Sequence, residues 1–274
     1  MMKRLAIIIM LIAIPAYGFC EEKAPITVTG EISGGMKRLV SESADFVTTP
    51  FQISNNNLFM TLGVFAATGV TFAFDQDIQH KFSTGHTGGL DDATKIGSLV
   101  GDPYIHLGFA ALVYGTAIVA DSPKWKAAGE MMGEALILAD VSTLLLKEVA
   151  GRARPLASNH KDDFRPLQFK NNYDSLPSMH TASSFAMASV AARTSESVPT
   201  AIAAYSAATL VGLSRMYQNK HWGSDILLGA AIGELSGRVV TSFHAGQGKG
   251  KDQRVAFVPT VTGTGATMNM HYHF

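Results

Sequence analysis

The segment from Ser214 to Asp225 holds three side chains whose types and spacing could do chemistry. Arg215, His221 and Asp225 stand at fixed offsets within it. A helix from Trp222 onward would place His221 and Asp225 on one face, where side chains four residues apart touch. An aspartate on one imidazole nitrogen fixes the tautomer and leaves the other nitrogen free to attack or to take a proton. The planar guanidinium of Arg215 suits the oxygens of a phosphate group. Taken alone, the histidine and aspartate are also typical of an ordinary surface or capping pair.

A second segment supplies two more cations. Residues 147–155 read Lys-Glu-Val-Ala-Gly-Arg-Ala-Arg-Pro. Lys147 and Arg154, taken one at a time, would be read as solvated surface charges. The chain is poor in charge, however, so cations inside spaced motifs favour the binding of an anion.

A third segment, residues 177–180, reads Pro-Ser-Met-His. Ser178 and the backbone amides of Met179 and His180 are predicted to lie at the start of a helix, which is a natural cradle for an anion.

Together the three segments resemble the tripartite signature of the type 2 phosphatidic acid phosphatase superfamily. That superfamily includes bacterial non-specific acid phosphatases and vanadium haloperoxidases. The signature is Lys-x6-Arg-Pro, then Pro-Ser-Gly-His, then Ser-Arg-x5-His-x3-Asp. Order and internal spacing match, and the resemblance covers about residues 55–245. One position departs from the signature, because Met179 stands where the family usually has glycine.

The resemblance implies a fold and a role for each motif residue. The fold would be all-α, a helical bundle of the PAP2 type. His221 would be the nucleophile, Asp225 would orient it, and His180 would donate the proton to the leaving alkoxide and then activate water. The phosphate-binding residues would be Lys147, Arg154, Arg215, Ser178 and Met179. No cofactor is expected, and the motifs contain neither a carboxylate cluster for Mg²⁺ nor a Cys/His set for zinc.

Met179 leaves the pocket open to two interpretations. Backbone amides do not depend on the side chain, so an anion cradle is compatible with methionine. Glycine, however, permits positive φ and close approach, whereas methionine permits neither freely. Met179 would then narrow the pocket or form a wall against a lipid chain.

Three functions follow from this interpretation. The favoured one is a metal-independent phosphatase of the cell envelope, acting on phosphomonoesters or pyrophosphates, lipid phosphates included, through a phosphohistidine. The first alternative is a vanadate-dependent haloperoxidase, because vanadate mimics the phosphoryl transition state, although the chain is short for that branch. The second is a non-catalytic phosphate- or lipid-binding envelope protein, with Met179 as its mark.

Composition limits the class of protein. A chain of 274 residues is long enough for one sizeable domain or two small ones. The formal net charge is zero, which gives no basic field for nucleic acid. The expected partner is a phosphorylated small molecule or lipid. The chain is 47% hydrophobic and 16% charged, as in tightly packed helices. With one cysteine no internal disulfide forms.

The N-terminus predicts export. Residues 1–20 carry Lys3 and Arg4, an apolar run, and then small residues, which is the pattern of a signal peptide. Cleavage after Gly18 or Cys20 fits, and a lipid anchor on Cys20 is disfavoured by the bulky residues before it. The expected location is the periplasm or cell envelope, with the inner membrane as the alternative.

Hydrophobic patterning predicts six helices and their boundaries. They are expected at 58–74, 104–120, 124–149, 180–193, 199–216 and 222–243. The runs at 58–74 and 104–120 have about 17 residues, the lower limit for crossing a bilayer. A soluble or membrane-surface bundle is therefore favoured over a multi-span protein.

The remaining segments are predicted to be accessory. Residues 21–54 form a lead-in with one short helix over 36–46, ahead of a phosphatase domain at 55–245. Residues 83–89 indicate a turn rather than a phosphate loop, because Gly-Lys-Ser/Thr is absent. Residues 246–274 are predicted to be a linker and a β-hairpin, on which His271 and His273 could instead be metal ligands.

Overall fold

The computed structural model describes residues 28–53, 56–83, 88–170, 172–248, 255–262 and 265–272. The predicted signal peptide lies outside these ranges. A 3₁₀ turn covers Thr49–Phe51. The α-helices of the described part are, in chain order, α1 (Val28–Thr48), α2 (Asn57–Ala73), α3 (Asp75–Ser83), α4 (Gly88–Val100), α5 (Pro103–Val119), α6 (Pro123–Ala150), α7 (Met179–Ser195), α8 (Val198–Tyr217) and α9 (Gly223–Gly248). The predicted helical fold is confirmed.

The six predicted helices correspond to α2, α5, α6, α7, α8 and α9, with ends that differ by a few residues. Three features were not anticipated. The lead-in contains the 21-residue helix α1, which packs on α6 and α9 rather than forming one short helix. Helices α3 and α4 were missed because their sequences are polar and lack a long apolar run. Of the predicted turn at 83–89, Gly88 and Gly89 belong to α4, and residues 84–87 lie outside the described part.

Local sequence signals define several helix ends. Asp102 caps α5, since its carboxylate accepts from Tyr104 N at 2.9 Å and Ile105 N at 3.4 Å, and Pro103 fills the first turn. Gly151 ends α6 at a φ of 57°, a left-handed conformation that glycine adopts without strain. The chain therefore turns back sharply four residues after Lys147, the first residue of the first predicted motif.

Small side chains dominate the core. Helix α7 lies between α6, α8 and α9. Its buried alanines face a few larger residues of the neighbouring helices, and the aromatic residues that pack against the cluster, Phe46 and Phe109, are only partly buried. The cluster consists of Ala110, Met132, Ala135, Leu136, Leu138, Ala139, Ala182, Ala186, Val190, Ile232 and Val240. Such a core allows helix backbones to approach closely.

Three glycines of α9, spaced four residues apart, form what we call the glycine seam: Gly229, Gly233 and Gly237. A Cβ on Gly229 would lie 2.5 Å from Ser178 O, and one on Gly233 would overlap Ala182 O. The seam therefore presses the α9 backbone against α7, and each site excludes any larger residue.

Gly233→Ala is expected to destabilise the protein by about 1–3 kcal/mol, because the added methyl forces apart two packed backbones. Chemical unfolding monitored by circular dichroism measures this. Gly63→Ala is the matched control. It also lies within an apolar helix, but its added Cβ meets nothing within 4 Å. Alanine there should be neutral or stabilising by up to about 1 kcal/mol. Equal effects in the two variants would contradict the packing argument.

Much of the outer surface is apolar. Within the described residues, one helical segment, Gly223–Gly246, is long and apolar enough to cross a membrane. If each of two bent helix pairs counts as one span, the described part has up to three candidate membrane spans. Large apolar side chains are also exposed on helices that fail that test. They include Val141, Leu144, Leu145 and Val149 of α6, and Val198, Ile202, Leu210 and Leu213 of α8.

At the C-terminus, strands β1 (Val255–Thr262) and β2 (Gly265–Tyr272) pair antiparallel, with Val255 opposite Tyr272. Residues 263–264 and the side chains of both strands lie outside the described part. The hairpin as an appended unit, the domain boundaries and metal binding by His271 and His273 stay predictions.

Candidate active site

His221 lies just before α9, and only 3% of its surface is exposed. Its Nδ1 is 2.7 Å from the carbonyl oxygen of Ser175. A carbonyl only accepts hydrogen bonds, so Nδ1 carries the proton and Nε2 keeps its lone pair. Asp225 Oδ2 lies 3.7 Å from Nδ1, so the two side chains stand together as their spacing predicts, with Ser175 O as the nearer partner of the ring. The sequence could not show Ser175 in this role, since a backbone carbonyl has no residue signature.

Asp225, fully buried near the start of α9, connects several parts of the site. Its Oδ2 accepts from Ser175 Oγ at 2.5 Å and from Trp222 N at 2.8 Å, and its Oδ1 accepts from Arg152 Nη1 at 2.6 Å. Ser175 therefore contacts both His221 and Asp225. The carboxylate therefore orients the imidazole mainly by holding Ser175, whose carbonyl binds the ring, and the backbone of Trp222, the residue after His221.

Arg152 is a buried cation that the motif analysis missed. Its Nη2 donates to Asp75 Oδ2 at 2.8 Å, and its Nε donates to Lys161 O at 2.9 Å. Asp75 in turn accepts from Ser224 N at 2.9 Å. With its bond to Asp225, Arg152 ties α3, the loop after α6 and the start of α9 into one network. Arg152 was missed because nothing in the sequence distinguishes it from other basic residues. Asp75 was missed because it lies on α3, a helix that was not predicted.

Aromatic rings enclose the Arg152 guanidinium. Its centre lies 4.8 Å from the ring of Phe72, 5.3 Å from Trp222 and 5.6 Å from Phe164. Cation–π contacts of this kind are favourable where water is excluded. The ion pairs of Arg152 are thus shielded from solvent.

His180 is the second residue of α7, and its Nε2 lies 4.0 Å from Asp102 Oδ2. About 23% of its side chain is exposed. The ring is therefore reachable, whereas His221 forms the buried floor of the site.

Ser178 occupies the N-cap position of α7 and is buried. Its amide donates to Asp225 O at 3.0 Å, so the starts of α7 and α9 are joined directly. Its Oγ accepts from Thr181 Oγ1 at 2.9 Å. Met179 begins α7 with an ordinary negative φ, so the backbone here does not need glycine. The conformational concern about Met179 is removed.

The three predicted cations differ in their partners. Lys147, 6% exposed, donates to the backbone oxygen of Asp174. Arg154 binds the Asp174 carboxylate through Nε at 2.7 Å and Nη2 at 2.6 Å. Arg215 donates to Ser98 Oγ at 2.8 Å. Its Nε is buried and has no partner among the described residues. Asp174 was also missed by sequence reasoning.

Electrostatic coupling shows that these groups converge. Burial lowers the pKa of His180 to about 3, helped by the positive charges of Arg215, Lys147 and Arg154. Burial likewise lowers the pKa of His221 to about 4 and that of Lys147 to about 8. Burial and the charge of Arg154 lower the pKa of Arg215 to about 10. Both imidazoles are neutral at pH 7 in the absence of an anion.

Acid is expected to destabilise the fold through these two histidines. The unfolded chain takes up protons near pH 6.5, whereas the folded pKa values of His180 and His221 are about 3 and about 4. Between those limits the unfolded state binds more protons, so stability present above pH 6.5 is lost as pH falls. The loss should reach on the order of 2 kcal/mol per histidine by pH 5. Denaturant unfolding at pH 7 and pH 5 measures it, and a His180→Gln/His221→Gln double variant should show a smaller difference. An equal pH dependence would contradict the assignment.

The arrangement suits transfer of an anionic group. A buried imidazole presents one lone pair, a second imidazole is accessible, and three cations lie around them. Such preplaced positive charge stabilises the equatorial oxygens of a transferring phosphoryl group.

Comparisons with known proteins found one family model, one curated relative and two solved structures that resemble parts of this chain. Residues 131–249 match the PAP2 superfamily model. A stretch of 68 residues is 43% identical to the lipid A 1-phosphatase of Porphyromonas gingivalis; it covers 24% of this chain and 15% of that protein. Among solved structures, Aquifex aeolicus LpxE aligns with a TM-score of 0.49 and 21% identity, over 62% of this chain and 95% of that one. The transmembrane PAP2 type phosphatidylglycerolphosphate phosphatase of Bacillus subtilis aligns with a TM-score of 0.48 and 20% identity, over 77% and 97%. The segment that matches the PAP2 superfamily model, residues 131–249, contains all three motifs.

Proposed function

We propose that this protein is a phosphatase that removes phosphate from a lipid phosphate through a phosphohistidine on His221. The observation that carries the proposal is the bond from His221 Nδ1 to Ser175 O, because it leaves Nε2 unprotonated in a site where Lys147 and Arg154 act on the ring. A neutral imidazole nitrogen in a buried site is a competent nucleophile.

In the first step, His221 Nε2 attacks phosphorus and forms an N–P bond while the P–O bond to the leaving group breaks. His180 gives its proton to the leaving oxygen, which departs as an alcohol. In the free site His180 is neutral and has no proton to give, and the negative charge of the substrate changes this. It pairs with a protonated His180 and so opposes both burial, the main cause of the low His180 pKa, and the neighbouring cations; His180 is therefore protonated in the complex.

In the second step, a water oxygen attacks phosphorus and gives its proton to the now neutral His180. The N–P bond breaks, and inorganic phosphate leaves. The positive charge that His221 carries as a phosphohistidine is stabilised by the carbonyl of Ser175 and by Asp225 at 3.7 Å.

The three cations hold the transferring group. Arg215 Nε, a buried donor without a partner in the described residues, is directed to bind a phosphate oxygen. Lys147 and Arg154 add charge to the same site, as their shared effect on His180 indicates. Arg154 must exchange at least part of its contact with Asp174 for substrate.

A lipid substrate fits two observations. The outer surface of α6 and α8 carries exposed large apolar side chains that acyl chains could contact. The curated relative of the matched segment is a lipid A 1-phosphatase. We therefore propose a membrane-associated enzyme of the cell envelope.

The test is phosphate release by the purified protein in detergent from lipid A, phosphatidic acid and polyprenyl pyrophosphate, with a sugar phosphate and a nucleotide as soluble comparators. We expect at least one lipid substrate to react about ten times faster than either soluble one, with inhibition by vanadate and activity retained in EDTA. A radiolabelled phosphate that is trapped on His221 and is stable in base would establish the intermediate.

Three results would count against the proposal. Loss of activity in EDTA, at a temperature where circular dichroism shows the protein still folded, would show a metal-dependent reaction. Binding of phosphate without turnover of any substrate would favour the non-catalytic alternative. Oxidation of halide with vanadate and peroxide, in the absence of phosphate release, would favour the haloperoxidase.

A further inference from the structure

A second cluster of ionisable side chains lies far from the catalytic motifs. Glu42 on α1, Glu134 on α6 and His244 on α9 each offer one ligand atom, and these atoms all lie within 4.8 Å of one another. His244 Nε2 is 2.6 Å from Glu134 Oε2 and 3.7 Å from Glu42 Oε1. Three helices that are distant in sequence thus bring three possible metal-ligand atoms to one position.

Glu42 is the unusual member of the cluster. Its side chain is completely buried, and neither carboxylate oxygen has a hydrogen-bond partner among the described residues. A buried carboxyl group without partners costs free energy, and natural proteins rarely leave one without a role.

The charges around the cluster leave a place for a cation. Arg38 Nε binds Glu134 Oε1 at 2.8 Å, on the side away from His244. Arg38 also lies 3.4 Å from Glu130, so its charge is already compensated there. Among the described residues, the cations near Glu42 are Arg38, which is paired with Glu134 and Glu130, and His244 when it is protonated.

We propose that Glu42, Glu134 and His244 form a binding site for one divalent transition-metal ion, best matched by Zn²⁺. One imidazole and two carboxylates suit zinc, with water in the fourth position. Ligand atoms around tetrahedral zinc lie about 3.3 Å apart, so His244 and Glu134 need to separate by about 0.7 Å. The imidazole gives up the proton it shares with Glu134, and the ion replaces that proton as the partner of all three groups.

The role of this site is structural. Counting helical rise, Glu134 lies about 20 Å along α6 from Lys147, and His244 lies about 28 Å along α9 from Asp225. At these distances the ion takes no part in the phosphate chemistry. It instead fastens α1 to the two helices that carry catalytic residues at their other ends.

The experiment uses the purified full chain without an affinity tag, stripped with EDTA and then given Zn²⁺, Mn²⁺ or Mg²⁺ separately. Bound metal is counted by mass spectrometry of the elements after gel filtration, and Tm is followed by circular dichroism. We expect Zn²⁺ to raise Tm by about 5 °C and Mg²⁺ to have no effect. Glu42→Gln and His244→Ala should each retain about one zinc ion fewer than the parent and lose the rise in Tm.

Glu42→Gln guards against misfolding, because glutamine has the shape of the neutral carboxyl group that burial already favours. His160→Ala is the matched control, since His160 is exposed and lies in the loop after α6, away from the cluster. It should leave both readouts unchanged. The proposal is overturned if Zn²⁺ fails to raise the Tm of the parent protein. It is also overturned if Glu42→Gln and His244→Ala bind as much zinc as the parent. Phosphate release is not part of this test, so its result is independent of the proposed function.

Discussion

His221→Ala should lower the rate of phosphate release by on the order of 10⁴-fold or more, because no other group can take the phosphoryl group in its place. His221 is nearly fully buried and fixed through Nδ1 by Ser175 O, so neither water nor a neighbouring side chain can occupy the same line of attack. His180→Ala should cost less, about 10²–10⁴-fold, since it removes proton transfer and leaves the nucleophile. Initial rates on the best lipid substrate measure both effects.

His160→Ala is the control for these variants, because His160 is an exposed histidine. Its rate should match that of the parent. Unchanged thermal unfolding of His221→Ala would show that the loss is chemical. Retention of full activity in His221→Ala would remove the phosphohistidine mechanism and the proposed function with it.

Arg152→Met is expected to destabilise the fold by about 3–5 kcal/mol, because it leaves Asp75 and Asp225 buried without their shared cation. Arg152→Lys keeps the charge, yet a single ammonium cannot reach both carboxylates and Lys161 O in the directions that the guanidinium does. For the lysine variant we expect kcat to fall about tenfold or more while KM changes little. Arg152 contacts the groups that hold His221 and, in this arrangement, binds no phosphate.

Arg165→Met is the matched control, since Arg165 lies in the same loop and pairs with Asp163 while half exposed. It should shift stability by less than about 0.5 kcal/mol. Urea unfolding and steady-state kinetics separate the two roles. A lysine variant that raises KM while keeping kcat would show that Arg152 binds substrate, and would contradict the positioning role.

The sequence was sufficient to predict what depends on local pattern. Apolar periodicity predicted the helices around 124–149 and 222–243, and the family resemblance of the spaced motifs placed His180, His221 and Asp225 in one predicted site. Asp102 and Gly151 marked helix ends because caps act within a few residues. These signals need no knowledge of the rest of the chain.

What could not be predicted depends on contacts between distant segments. Asp75 gains meaning only because α3 reaches the start of α9, and α3 is too polar for a periodicity argument. Ser175 acts through a carbonyl that every residue possesses. Glu42 looked like an ordinary charge in a polar lead-in, and its burial follows from how α1 packs.

The glycine seam has a consequence for how this protein unfolds when it is heated. The backbones of α7 and α9 touch at Gly229 and Gly233, so the two helices cannot slide past each other by a fraction of a turn. Ser178, which lies at the Gly229 end of this contact, is two residues from His180. A partly unfolded state, in which the contact between α7 and α9 is loosened while the helices stay folded, is therefore not expected. Turnover should therefore persist undiminished up to the melting transition and disappear together with the helical signal.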